Sequence, residues 1–396
     1  MSENEKLWGS LILLFLIGVC SIWIGGSFLS TFPRASRDDI DPFNEAANGP
    51  LSFDDNSDRL EQTVIVPTLD SPIPQGKSAI WCVSFQLAWN RLKDDLVKEP
   101  IRIANAQPIV DRLNKADHSD EDVGKEAVYA AAGLAKDGIV ERIQAEMAGK
   151  FPNVPRPEID IPPDGAVAYA YLTASSKYDY PFFENDEKLI FTDSAGKQTA
   201  VGSFGIRKKD DYAYRKLRQQ VRVLYCTPGT MWSEQEIPEF IVDPCKTSQP
   251  YQIVLARVDR KTTAVTLADM VVDVEQKIAA QPESDLKRST FFPRDTLLVP
   301  NMAWKVIHHF QELEGKDKRF SNPALDGLYL DTALQTIQFR LNRSGAELAS
   351  ESKVYVKPGA SFFHVNRPFM IYMKKRGGKQ PFFVMWVDNA ELLEKK

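Results

Sequence analysis

Few side chains in this sequence are able to do chemistry, and none of them stands in a recognised catalytic motif. The 396 residues include four histidines and four cysteines, which leaves little for a metal site. A phosphate-binding glycine loop, HExxH, GxSxG and paired CxxC motifs are all missing from the sequence. Cys82 would be a nucleophile if a distant histidine reached it, but its apolar neighbours Trp81 and Val83 favour an inert core cysteine. The sequence therefore predicts no catalytic residue, no metal, no cofactor and no enzyme.

Two further pairs of residues offer weaker candidates. Cys226 and Cys245 flank one insertion of the chain, and they are a candidate disulfide if the domain lies outside the cell. Two unpaired cysteines are the alternative. Asp326 lies in the turn-like sequence NPALDG and Asp331 follows it, which favours solvated turn carboxylates over a metal site.

Composition excludes two broad classes of protein. Hydrophobic residues make up 43% and charged residues 26% of the chain, which are values of a folded globular protein. The net charge is −5 and the sequence pI is about 5.6. A nucleic-acid partner is therefore not expected, because such a protein needs a basic face.

The amino terminus has the pattern of a membrane anchor. From Leu7 to Phe32 there are 26 residues without a charge, more than the roughly 20 that a helix needs to cross a bilayer. We predict a short flank at 1–6, a transmembrane anchor at 7–29, and a disordered tether rich in Pro, Asp, Asn and Ser at 33–76. A cleaved signal peptide is the alternative. The predicted localisation is a single-pass membrane protein with an extracytoplasmic domain, although Lys6 and Arg34 nearly balance in setting the orientation.

The remaining pattern predicts one α+β domain at 77–396. The sequence SAIWCVSFQLAWNRL at 78–92 indicates a buried strand that enters an amphipathic helix. An alanine-rich stretch at 127–147 reads as the longest helix, and the proline-rich run at 153–165 ends it. Many short β-like runs follow, with further helices predicted at 267–278 and 302–313. The alternative is two small domains divided near 152–163.

The last sixty residues carry a recognisable pattern. The sequence TIQFRLNRSGAELASESKVYV at 336–356 is followed by a short loop and then by FFHVNRPFMIYM. A second strand, PFFVMWV at 381–387, closes the region. This arrangement resembles the carboxy-terminal region of serpins, a superfamily of protease inhibitors. Other segments follow in the family's order, so the resemblance covers about 78–390.

The resemblance implies a reactive centre loop at about 346–363, presented to a serine or cysteine protease. It matches the loop hinge to Gly345, Ala346, Glu347, Leu348, Ala349 and Ser350. It matches the motif after the loop to Asn366, Pro368 and Phe369, and it puts the scissile bond near Gly359–Ala360. It also implies a large mixed or antiparallel sheet beside strand 335–342 and a second, more barrel-like sheet, both packed with helices.

Departures from the family pattern keep a second interpretation open. A Ser, Asn and His cluster of the family corresponds here to Cys82, Ala170 and Gln335, and Tyr178 replaces a tryptophan. Before and within the hinge the unusual residues are Arg343, Ser344, Leu348 and Glu351. The family's first helix is absent or hidden in 58–69. The alternative is a non-inhibitory binding or structural module without protease trapping, because a fold does not fix a function.

Alternation along the loop gives independent information. Side chains of a strand point alternately to its two faces. One face of 346–356 is uncharged, namely Ala346, Leu348, Ser350, Ser352, Val354 and Val356. The other face is mostly charged, which is typical of a strand with one buried and one solvated side. An ordinary edge strand fits this pattern equally well.

Overall fold

The strands at the centre of the fold come from the two ends of the folded chain. The computed structural model describes residues 60–206, 212–228, 230, 235–281, 291–292, 294–343 and 360–395. Residues 49–396 form one compact unit, so the alternative of two small domains divided near 152–163 is wrong. The predicted class is confirmed: several sheets pack against helices in a mixed α+β fold.

The described part of the chain contains seventeen strands, most of them short. In chain order they are β1 (Thr63–Ile65), β2 (Ser78–Cys82), β3 (Val128–Leu134), β4 (Ala166–Leu172), β5 (Phe183–Glu184), β6 (Leu189–Thr192), β7 (Gln198–Val201), β8 (Ser203–Ile206), β9 (Arg222–Cys226), β10 (Phe240–Asp243), β11 (Tyr251–Arg257), β12 (Thr296–Pro300), β13 (Met302–His309), β14 (Leu334–Leu341), β15 (Phe362–His364), β16 (Phe369–Lys375) and β17 (Pro381–Val387).

Six α-helices lie between these strands in the same ranges. They are α1 (Ser84–Arg91), α2 (Gln107–Lys115), α3 (Asp120–Val123), α4 (Ile139–Lys150), α5 (Tyr212–Gln220) and α6 (Leu267–Ala280). A π-helical turn, Leu92–Val97, continues α1. Helix α6 begins with a capping box between Thr266 and Asp269, which satisfies backbone N–H groups at its start.

A seven-stranded sheet forms most of the core. Its order is β1-β2-β17-β16-β11-β10-β9, and every residue of β2 and β17 is buried. These strands read as continuous apolar runs because helices or other strands cover both of their faces. The strand-to-helix unit predicted at 78–92 is confirmed by β2 and α1.

A second sheet has four strands in the order β15-β12-β8-β5. Strands β15 and β12 are parallel, with Phe362 opposite Thr296. Strand β8 pairs with β12 at such close range that a Cβ atom on Gly205 would lie 1.8 Å from the Leu297 carbonyl oxygen. Only glycine has room at this position.

Two regions predicted as helix are strands. Residues 128–134 form β3, which pairs with β4, and the helix of that region begins only at Ile139. Residues 302–309 form β13, which pairs with β14 along its whole length. Within the described ranges β14 pairs with β13 alone. The expectation of a multistranded sheet directly beside strand 335–342 was therefore wrong.

The outer face of the β3–β4 pair has a small core of its own. Helix α4 packs there through Ile139, Ile143 and Met147, against Tyr129 and Ala131 of β3. The proline-rich segment that follows α4 adds Val154, Ile159 and Ile161 to this cluster. The inner face of the same pair packs against the main core.

The folded chain begins earlier than Lys77. Strand β1 pairs in parallel with β2, and Ile65 and Ile73 are buried. The predicted tether therefore includes folded residues from 60 onward, and the helix sought in 58–69 is replaced from Thr63 by a strand. Residues 1–59, including the predicted anchor at 7–29, lie outside the described residues. Across the part that is described, no helix is both long and apolar enough to span a bilayer.

Candidate functional site

The β3–β4 and β13–β14 pairs lie on the same helix. Helix α1 contacts β3, β4 and β14, with the alanines of β4 turned toward the main core. Each pair is a two-stranded sheet in the described ranges, so the outer edges of β4 and β14 have no strand partner there. We call these two outer edges, on strands that both contact α1, the sheet opening. Unpaired strand edges present backbone donors and acceptors that another strand can bind.

A small polar cluster joins β14 to the start of α1. The Gln335 amide nitrogen donates to the Cys82 carbonyl oxygen at 3.0 Å and to the Ser84 hydroxyl at 2.9 Å. The resemblance matches Cys82, Ala170 and Gln335 to a cluster of three residues, which implies that they lie together. Cys82 and Gln335 do, and Ala170 lies on β4 in the face that packs on the core.

Cys82 is poorly suited to catalysis in this cluster. Its side chain is buried, and burial raises the pKa of the thiol, against smaller opposing effects of the Ser84 hydrogen bonds. A thiol rather than a thiolate at neutral pH is a weak nucleophile. None of the described residues form a group of three or more His, Cys, Asp or Glu that could hold a metal ion.

Arg343, two residues after β14 ends, ties that end of the strand to Phe182. The Phe182 N–H donates to the Arg343 carbonyl at 3.0 Å, and the Arg343 Nε donates to the Phe182 carbonyl at 3.1 Å. Phe182 is fully buried, and its ring meets that of Tyr178 edge to face at 4.9 Å. Phe204 packs against both rings. Tyr178, which the resemblance matches to a tryptophan, is thus part of the aromatic support of this tie.

The hinge predicted at Gly345–Ser350 and the Gly359 side of the predicted scissile bond lie outside the described residues. Ala360, the other side of that bond, is described, and it is fully buried. The next residue, Ser361, is also fully buried. Its N–H donates to the Asp295 carboxylate at 2.8 Å, and its carbonyl accepts from the Thr296 N–H at 3.1 Å.

The motif after the loop enters the core. The Asn366 carbonyl accepts from the Thr192 N–H at 2.9 Å. After Pro368, Phe369 begins β16, is fully buried, and meets the Phe191 ring edge to face at 6.2 Å. These contacts fix the carboxy-terminal side of the predicted loop to the β6–β7 hairpin.

The Cys226–Cys245 disulfide is not formed. Cys226 lies opposite Phe240, whereas Asp243, two residues before Cys245, lies opposite Arg222 at the other end of the pair. Four residues of strand span about 13 Å, and a disulfide needs Cα atoms within about 7 Å. Cys245 is a free, buried cysteine.

Sequence reasoning missed the buried charges beside β15. Asp295, Arg218 and Arg257 are all buried, and the Arg257 guanidinium donates to the His364 carbonyl at 3.1 Å. Burial raises the pKa of Asp295, while Arg218 and the backbone hydrogen bonds partly oppose this effect. A lone carboxylate at the start of an apolar strand gives no signal in the sequence that it will be buried.

No protein-family model matches the chain, and no curated protein matches it.

Several of the solved structures that match the chain are serpins. The native thermophilic serpin tengpin aligns with a TM-score of 0.41 at 12% identity, covering 80% of this chain and 90% of that one. Mouse protein-Z dependent protease inhibitor aligns with a TM-score of 0.45 at 13% identity, covering 79% and 91%. Human thyroxine-binding globulin aligns with a TM-score of 0.42 at 13% identity, covering 79% and 92%.

Proposed function

We propose that this chain is a serpin-like protease inhibitor that presents residues 346–363 as bait to a serine or cysteine protease. The protease nucleophile attacks the carbonyl carbon of the scissile bond, forms an acyl-enzyme, and releases the new amino terminus. Before water hydrolyses the acyl bond, the amino-terminal part of the loop inserts as a strand and carries the protease with it. Strand insertion of this kind is a known mode of β-augmentation.

The observation that carries the proposal is the sheet opening. Strands β4 and β14 lie on one helix with their outer edges unpartnered by any described strand. The tie between Phe182 and Arg343 lies at the carboxy-terminal end of β14. Gly345 follows Arg343 by two residues, so a loop that begins at this glycine begins next to the tie at the end of β14. The alternation of 346–356 supplies an uncharged face for burial.

The burial of Ala360 and Ser361 moves the expected scissile bond toward the amino terminus. Ala360 and Ser361 are fully buried, and Ser361 is hydrogen-bonded on both backbone groups. A protease cuts chain that is exposed, or that opens locally. We therefore propose a bond before Gly359 in place of Gly359–Ala360. Lys357 is a poor candidate because Pro358 follows it.

A non-inhibitory binding module is the second candidate, and the Arg343 tie favours it. Insertion must break both hydrogen bonds between Arg343 and Phe182, and a buried aromatic cluster supports them. Leu348 is larger than the small residue expected at the hinge, and crowding a packed site costs about 1–3 kcal/mol. A chain that keeps this tie closed after cleavage would bind partners without trapping a protease.

The experiment compares the melting temperature of the full chain in detergent before and after cleavage of the loop. Subtilisin is the probe, and mass spectrometry confirms a cut between 346 and 359. An inhibitor melts at a markedly higher temperature after cleavage, because insertion releases stored free energy. Ser350→Arg should abolish the gain by placing a charge on the uncharged face, whereas Ala349→Arg, on the opposite face, should keep it. An unchanged melting temperature in a fully cleaved sample refutes inhibition and leaves the binding module.

Membrane anchoring by 7–29 and an extracytoplasmic domain also remain proposals. Their support is the uncharged run at the amino terminus. An anchored chain stays in the membrane pellet after an alkaline carbonate wash, and Leu14→Arg with Ile17→Arg should release it. Recovery of the unaltered chain in the supernatant would refute the anchor.

A further inference from the structure

The chain is held firmly just after position 359. Ala360 and Ser361 are fully buried. The Ser361 N–H donates to Asp295 Oδ1 at 2.8 Å, and the Thr296 N–H donates to the Ser361 carbonyl at 3.1 Å. Both backbone groups of Ser361 are therefore bound to the residues that start β12.

Asp295 is itself fixed by the fold. Its side chain is buried, and its second oxygen, Oδ2, accepts from the Phe292 N–H at 2.8 Å. The Arg218 guanidinium and the Ser361 hydroxyl also act on this carboxylate. The next residue begins β12, which pairs with β8 on one side and β15 on the other. The Asp295 carboxylate therefore holds Ser361 from the position just before an interior strand of the sheet.

Residues 362–364 have separate attachments. The Phe362 carbonyl accepts from the Ile237 N–H at 3.0 Å, and the His364 carbonyl accepts from Arg257 at 3.1 Å. The His364 ring lies within hydrogen-bond distance of the Thr296 hydroxyl, at 3.0 Å. Loss of the Asp295 contact should therefore loosen 360 and 361 while β15 stays paired with β12.

We propose that Asp295 is a positioning residue that sets the carboxy-terminal limit of the segment a protease can cleave. The relevance of Asp295 to inhibition rests on the proposed function, because a reactive loop of defined length must end at a fixed residue. A peptide bond becomes a substrate only in the fraction of molecules where it opens. By binding the Ser361 N–H, Asp295 keeps the peptide bonds from 359–360 onward inaccessible to a protease. Cleavage is therefore confined to the peptide bonds before them.

The test uses the full chain, subtilisin as probe, and mass spectrometry of the first residue of each carboxy-terminal fragment. The original chain should give fragments that begin at or before Gly359. Asp295→Ala should add fragments that begin at 360–362, formed at least about tenfold faster, since a hydrogen bond to a charged acceptor is lost. Asp295→Asn should stay within about threefold of the original chain, because its carbonyl oxygen still accepts from Ser361.

Asp193→Ala is the matched control. The Asp193 carboxylate also accepts two backbone N–H groups, those of Ala195 and Lys197, in the turn between β6 and β7. Its removal should leave the fragment starts unchanged. Unchanged starts in Asp295→Ala, or new starts at 360–362 in Asp193→Ala, would overturn the proposal.

Hydrogen exchange provides a second readout if Asp295→Ala does not fold. In Asp295→Asn, whose neutral oxygen accepts more weakly than the carboxylate, the amide of 361 should exchange faster than in the original chain by up to about threefold, with 369–375 unchanged; equal exchange at 361 would count against the role. The outcome is separable from inhibition. If the cleavage limit shifts in Asp295→Ala but cleavage of the original chain does not raise its melting temperature, Asp295 has this positioning role and the chain is not an inhibitor.

Discussion

Gly205 gives the sharpest prediction, because the space beside it is measured. It lies in β8 opposite Leu298 of β12, with φ +156. A Cβ atom added there would lie 1.8 Å from the Leu297 carbonyl oxygen and 2.7 Å from its carbon. A carbon and a carbonyl oxygen normally approach no closer than about 3.3 Å. Gly205→Ala must therefore push β12 away from β8 by about 1.5 Å.

A shift of this size breaks the pairing of the two strands. Hydrogen bonds near 2.9 Å would lengthen beyond the range in which they count as bonds. The β8–β12 pairing includes four residue pairs, and both Phe204 and Leu297 are fully buried beside it. At about 1 kcal/mol for each lost hydrogen bond, plus repacking, we expect a loss of about 4 kcal/mol or more in the free energy of unfolding.

Urea unfolding of the full chain in detergent, followed by tryptophan fluorescence, measures this loss. Gly202→Ala is the matched control, because the nearest atom to its added Cβ is the Asn301 amide nitrogen at 3.4 Å. We expect the control to change the free energy of unfolding by less than about 1 kcal/mol. If Gly205→Ala unfolds within about 1 kcal/mol of Gly202→Ala, the close approach of β8 and β12 is refuted.

Two further predictions concern buried titratable side chains. Burial lowers the pKa of His118 below 6.5, with Asp117 and Asp122 opposing. The neutral ring is therefore favoured in the folded state, and its contribution to stability is present above pH 6.5 and lost as the pH falls toward the folded pKa. Urea midpoints should fall less between pH 7.5 and 5.5 in His118→Gln than in the original chain; equal falls would contradict this assignment. Cys82 should react with Ellman's reagent only after unfolding, because burial raises the pKa of its thiol. Stoichiometric reaction of Cys82 in the native state would instead support the hypothesis that it is a catalytic nucleophile.

The sequence predicts some parts of this fold well, for a physical reason. Strands β16 and β17 are continuous apolar runs, and such runs fit central strands buried on both faces. The unit formed by β2 and α1 is equally clear, since its apolar residues change from a continuous run to helical spacing. In both regions the local pattern and the tertiary environment favour the same structure.

Two strands were misassigned because their local pattern fits more than one structure. The alanines of β3 have high helix propensity, but their small side chains let the β3–β4 pair approach α1 closely. In β13 the buried residues Met302, Trp304 and Val306 alternate, although apolar residues there also recur at helical spacing. Pairing with β14 over eight residues decides in favour of a strand.

The amino-acid sequence by itself determined the central strands, and it predicts a hinge at Gly345–Ser350 and alternating faces along 346–356. Only the tertiary structure decided that Ser361 is bound, because Asp295 and Ser361 are 66 positions apart and meet through the pairing of β12 with β15. It also decided that Cys226 and Cys245 stay apart, since strand register sets their separation. Contacts of this kind depend on how strands are ordered in a sheet, and local patterns carry no information about that order.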